Sequence, residues 1–276
     1  MPVDSLRGTA RVLEAVHMKI IDNLRYTPVG RCIYCGNTKN LQKEHILPFG
    51  LSGSAILPES TCNQCAKITG HFEQKVLRGP MWAVRVYREL KSRTRHQDAP
   101  KYFPLTVINN GTEQVVQVPT QEYPILLHFP IFQPPAYLNP SGYEKGILVS
   151  GVVTVSFGPR PDTVARKLGV ETLRISQAQE PIAFARMIAK IAYAWAAAEN
   201  KLNLIRGMPF ILPAILGKAD DIGRWVGTLT EPIQKYEGLL HRILIHEDHD
   251  RHLLFGEVQL FSDSETPKYG VILGEI

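Results

Sequence analysis

Apolar residues in the first stretch of the chain recur every three or four positions: Leu13, Val16, Ile20 and Leu24 alternate with Arg11, Lys19 and Asp22. This spacing predicts an amphipathic helix over residues 4–25, closed by Thr27, Pro28 and Gly30. Residues 31–70 lose the periodicity and contain few large apolar side chains. A helical pattern returns from about Gly70 to Leu90, broken at Gly79-Pro80, and KSRTRHQDAP reads as a polar linker. Beyond Lys101 the period shortens. PLTVIN, EQVVQV and PILLHF are runs of branched and aromatic residues separated by Asn-Asn-Gly and prolines, which is the pattern of strands. The six prolines from Pro119 to Pro140 predict an irregular surface connection, and GILVSGVVTVSF a long strand or a hairpin hinged at Gly151. Pro181 opens an alanine-rich apolar helix reaching Ala198. The last 40 residues, with LLHRILIH, HLLFGEVQLF and KYGVILGE, predict a three-stranded antiparallel meander.

The fold class is therefore α+β. An N-terminal helix and a small cysteine-bearing module occupy residues 1–98. A larger α+β region of antiparallel strands and a long buried helix occupies 99–276, with a role in target selection, sensing or dimerisation. The 276 residues, 44% hydrophobic and 21% charged, exclude a disordered chain, a collagen and a disulfide scaffold. The first residues lack a basic segment followed by an unbroken apolar run, so the expected address is cytoplasmic. Pro181–Ala198 carries Arg186 and Lys190 and reads as a core helix rather than a membrane span. Those two cations are free to bind an anion or to pair with acids of the sheet.

All four cysteines fall in two Cys-x-x-Cys pairs, Cys32/Cys35 and Cys62/Cys65, separated by 26 residues. Four thiolates of this spacing make a closed tetrahedral site for structural Zn²⁺, and a module with so small a core needs such a brace. Between the pairs lies Glu44-His45. Adjacent strand residues face opposite ways, so the two divide their labour: His45 suits a general base and Glu44 a ligand of hydrated Mg²⁺ or Mn²⁺.

CIYCGNTKNLQKEHILPFGLSGSAILPESTCNQCAKITGHFEQKVLRG, within Arg31 to about Arg95, resembles the four-cysteine form of the HNH endonuclease family, in the bacterial subgroup with Glu-His-Ile-x-Pro. The resemblance implies a ββα-metal module: two short strands, the second carrying Glu-His, then a loop and a helix, with zinc behind. It also implies metal-dependent hydrolysis of DNA leaving 5′-phosphate and 3′-hydroxyl ends, and, from family habit, a part in bacterial defence. The family's second metal ligand follows the last cysteine, where this chain has Ala66. Its middle asparagine falls at Leu57, with Ser60 or Asn63 as stand-ins. Glu73 lies seven residues after Ala66 and returns to nearly the same helical face, so it replaces the second ligand better than His71 or Asn63 does.

Residues 31–100 hold eleven Lys/Arg against five Asp/Glu, a surplus of six, whereas the whole chain has a surplus of five. The positive charge is thus concentrated on the module. Arg78, Arg85, Arg88, Lys91, Arg93 and Arg95 form the expected phosphate-tracking surface for DNA, with RNA as the other anionic partner. The competing function is a zinc-braced DNA-binding or regulatory protein whose nuclease centre is degenerate, for which Ala66 and Leu57 speak. The cluster His246 to His252 falls where two strands must turn and reads as a solvated hairpin tip.

Overall fold

A computed structural model describes residues 26–92, 99–139 and 145–276. The helix expected over 4–25, together with Arg93 and Arg95, lies outside these residues. Elements alternate in a mixed α+β order with antiparallel sheets. Strand β1 (Leu41–His45) and β2 (Ile56–Cys62) form a hairpin, and β2 runs directly into α1 (Asn63–Arg78). Gly79 ends α1, and the short α2 (Trp82–Tyr87) follows, as the Gly-Pro interruption predicts. Glu-His sits at the end of the first strand of this hairpin, not on a second strand as expected. β1 finds its partner after the loop because residues 56–62 alternate a buried Leu57 into the same core, while the first Cys-x-x-Cys is a turn.

β3 (Tyr102–Asn109) and β4 (Thr112–Pro119) are joined by the Asn110-Gly111 turn. β5 (Leu126–Phe132) pairs with β6 (Val149–Ser156), and α3 (Pro161–Leu168) precedes β7 (Thr172–Arg174), which adds to β3. The proline-rich connection therefore holds a true strand. Leu127, Phe129 and Phe132 turn into the core, with a register shift between Ile131 and Phe132 that restores the inward face. Within residues 146–157 the single strand is β6, Val149–Ser156, without a hairpin at Gly151.

α4 (Pro181–Ala198) is followed by short helical turns at Leu212–Ile215 and Ile222–Trp225 and by β8 (Val226–Thr228). The meander β9 (His241–Asp248), β10 (Leu253–Leu260) and β11 (Tyr269–Glu275) forms as expected, with β8 added at the β11 edge. Of the segment expected as a hairpin tip, His249–His252 form the first turn, whereas His246, Glu247 and Asp248 lie in β9, paired with β10.

α4 packs on β9, β10 and β11 on one side and on α1 on the other. Its alanines explain how close the sheet comes: a Cβ on Gly256 of β10 would lie 2.6 Å from the Ala192 Cβ. One hydrophobic core consequently runs from Cys32 and Phe72 through Met187 and Ile191 to Val258 and Leu273, crossing the expected boundary at 98/99. A small second core, Leu105, Val107, Val118 and Val164, lies under β3, β4 and α3. No helix among the described residues is long and apolar enough to cross a membrane.

Candidate metal centre and the buried carboxylate pair

The knuckle around Cys32 closes through local backbone bonds, from the Cys32 N–H to the Asn37 carbonyl (2.7 Å) and from Gly36 to Cys32 (2.8 Å). The Ile33 N–H donates to the Ser60 carbonyl at 2.8 Å and ties this turn to β2. Cys62 is the residue before α1 and Cys65 sits in its first turn, so the helix start carries the second pair. The four sulfurs lie within 4.8 Å of one another, and none is in a disulfide. The Cys35 and Cys62 sulfurs are 3.7 Å apart. A tetrahedron of Zn–S bonds of about 2.3 Å has an edge of about 3.8 Å, so the spacing fits a metal ion such as zinc. Burial raises the Cys35 and Cys65 thiols; at Cys62 burial is outweighed by the Cys65 backbone N–H and the neighbouring sulfurs, which bring it down to about 7.

The loop after β1 returns sharply. Gly53 is required there because a Cβ would lie 2.0 Å from the Leu47 carbonyl oxygen. Its shape places Glu44 inward and leaves His45 half-buried, the His45 ring meeting Phe49 edge-on at 5.7 Å. Adjacent strand positions thus diverge, as the alternation rule requires.

Glu44 is 6% exposed. Its Oε1 lies 2.5 Å from Nζ of Lys190, which projects from the middle of α4 and is itself 1% exposed. The same ammonium lies 3.1 Å from Oε1 of Glu73 on α1, and it donates to the carbonyl of His45 and, at 3.4 Å, to that of Ile46. Glu44 and Glu73 therefore meet at one cation, the ammonium of Lys190. His71 and Asn63 are exposed, and Asn63 accepts a bond from Gln42. Leu57 is buried opposite Glu44, and the Ser60 hydroxyl donates to the Leu57 carbonyl at 2.6 Å, so neither extends the carboxylate pair.

Burial raises the Glu44 carboxyl, Lys190 pulls it down, and Glu73 raises it further, leaving it above its ordinary value. Burial alone would discharge Lys190, yet the two carboxylates outweigh it and raise its pKa. Both directions follow from two negative groups sharing one positive group. The phenol of Tyr34, 3% exposed and without a hydrogen-bond partner among the described residues, is raised by burial and by the charges of Glu44 and Glu73.

The basic run divides. Arg78 and Lys91 are exposed. Arg85, expected on the phosphate-tracking face, is buried: its Nε donates to the Gly50 carbonyl (2.6 Å) and its Nη1 to Leu77 (2.8 Å), closing the loop onto the end of α1. Arg88 forms an ion pair with Asp263 and stacks near Phe157 and Phe261. Arg85 thus turns inward onto the module's own loop and helix, and Arg88 onto the C-terminal region packed against it. Arg186, weighed as an anion ligand, instead donates to the Ile215 carbonyl and lies over the Phe72 ring at 4.8 Å. Lys190 pairs with acids of the module, not of the sheet.

Comparison of the chain with protein-family models, curated proteins and solved structures finds no match. The residues carry the functional reading unaided.

Sequence reasoning missed the roles of Tyr34 and Arg85. Tyr34 gave no signal inside the Cys-x-x-Cys turn. Lys190 did give one, since a lone cation amid Met187, Ile188 and Ile191 must meet a buried acid.

Proposed function

We propose that the protein is a metal-dependent endonuclease of the HNH type that hydrolyses DNA phosphodiester bonds. The observation that carries this reading is the meeting of Glu44 and Glu73 at one cation, on a hairpin and helix clamped by four cysteine sulfurs, with His45 half-exposed at the next position. Cys32, Cys35, Cys62 and Cys65 would hold Zn²⁺ as a closed brace. Glu44 and Glu73 would hold Mg²⁺ or Mn²⁺, which supplies charge for the phosphoryl oxygens and the departing 3′ oxygen. His45 would take one proton of the attacking water as the water oxygen bonds to phosphorus, the bond from phosphorus to the 3′ oxygen would break, and a solvent proton would complete the 3′-hydroxyl, leaving a 5′-phosphate on the other end. Arg78 and Lys91 offer charge for the strand's phosphates.

The test is plasmid nicking by zinc-loaded protein with Mn²⁺ or Mg²⁺. Nicking by the wild type and its loss in His45→Ala support the reading; equal nicking by both removes it. Paired ribo- and deoxyribo-oligonucleotides decide between RNA and DNA.

A second reading is a zinc-braced DNA-binding or regulatory module without cleavage. Lys190 at the oxygens of Glu44 favours it, together with Ala66 after the last cysteine. It expects salt-dependent DNA binding that survives Glu44→Ala, and no metal-dependent nicking.

A further inference from the structure

We infer that the Lys190 ammonium is a built-in, displaceable occupant of the divalent-cation site, by which α4 holds the module in a closed state; this rests on the nuclease reading above and concerns the regulation of that site.

An ammonium has three protons to donate. Here the His45 and Ile46 carbonyls accept from it, and the carboxylates of Glu44 and Glu73 are its ion-pair partners at 2.5 and 3.1 Å. Among the described residues Glu73 Oε1 has that ion pair but no hydrogen bond. Among the described residues the Tyr34 hydroxyl likewise has no hydrogen bond, and it is buried where the charges of both carboxylates act on it. A buried carboxylate oxygen and a phenol without partners are expensive, and two carboxylates against one ammonium leave an unbalanced negative charge. The chamber is therefore short of positive charge with Lys190 in place. A divalent cation satisfies both carboxylates at once, and its bound water would donate to the Glu73 oxygen and accept from the Tyr34 hydroxyl. Glu73 is the entrance, because its side chain is 19% exposed while those of Glu44 and Lys190 are 7% and 1% exposed.

Lys190 also belongs to the helix that packs on the C-terminal sheet, whereas Glu44 and Glu73 belong to the module. Any shift of α4 away from α1 withdraws the ammonium and opens the site to a divalent ion. Metal binding and docking of the C-terminal region then compete, and each weakens the other by the same factor.

The experiment is Mn²⁺ titration of full-length, zinc-loaded protein, followed by electron paramagnetic resonance of free Mn²⁺, in the wild type, Lys190→Met and Lys190→Gln. The expected result is Mn²⁺ binding at least tenfold tighter in both variants than in the wild type, abolished by adding Glu73→Gln. Unchanged Mn²⁺ affinity in the variants overturns the inference. So does failure of both variants to fold even in the presence of Mn²⁺, since a divalent ion would then be unable to take the ammonium's place. His45-dependent nicking in the wild type with unchanged affinity in the variants leaves the nuclease reading standing alone. Tighter Mn²⁺ binding without nicking in any protein leaves the cation site and removes the nuclease.

Discussion

Lys190 on α4 and Glu44 at the end of β1, 2.5 Å apart between Nζ and Oε1, are the most deeply enclosed ion pair that joins the cysteine module to the C-terminal region. Removing one partner of such a pair leaves a buried charge alone. Without added divalent metal, Lys190→Met should lose about 3–5 kcal/mol of stability. Combining it with Glu44→Gln should recover part of that loss, because the second change removes the orphaned charge. Urea denaturation of the two variants and the wild type measures both effects; a double variant no more stable than Lys190→Met would contradict the pairing.

The cysteine cluster makes a stoichiometric prediction. Purified protein should contain one Zn²⁺ per chain, and a strong chelator should make the four thiols reactive and lower the unfolding midpoint. Cys32, Cys62 and Cys65 are part of the main hydrophobic core, so metal loss should loosen the whole domain rather than a surface loop. Elemental analysis and thiol titration before and after chelation provide the check.

His241 is a buried imidazole bonded on both sides. Its Nδ1 accepts from the Phe261 N–H at 3.1 Å, which leaves the proton on Nε2 to donate to the Leu51 carbonyl at 3.0 Å. Burial is the main cause that lowers its pKa from 6.5 to about 4. The folded state thus prefers the neutral ring, and a second proton on Nδ1 would face the Phe261 N–H. Its contribution should be complete above pH 6.5 and decline as the pH falls toward 4, by about 3 kcal/mol in all. Stability curves over pH 4 to 7 should be visibly flatter in His241→Leu than in the wild type. Parallel curves would show that this ring is not the titrating group.

The basic residues should separate into two kinds. Arg85→Ala leaves the Gly50 and Leu77 carbonyls without their donor and should cost about 2 kcal/mol. Arg78→Ala and Lys91→Ala should leave stability nearly unchanged, and each should reduce by about one the slope of log binding constant against log salt for DNA. Thermal denaturation and salt-series binding on the three variants distinguish the kinds. An unaltered slope for both exposed residues would place the DNA surface elsewhere.

Local pattern was enough for several elements. The alanine-rich run became α4, the alternating runs became β3, β4 and the β9–β11 meander, and the Cys-x-x-Cys spacing brought four sulfurs together. In each case the deciding interactions lie within one element, or the candidates for pairing are few.

The same local rules misjudged Arg85 and Arg88 and left the partner of Lys190 open. Arg85 bonds to Gly50, 35 residues away, Arg88 to Asp263, 175 away, and Lys190 to the His45 carbonyl, 145 away. A charged side chain carries no mark of whether it faces water or a distant carbonyl. Packing chooses, because α4 and the sheet cover one side of the module, and any ionic group caught beneath them must find an opposite charge or a backbone oxygen. Residue types and spacings were enough to bring the four thiols together, whereas which cation stands against Glu44 was decided when α4 closed over α1.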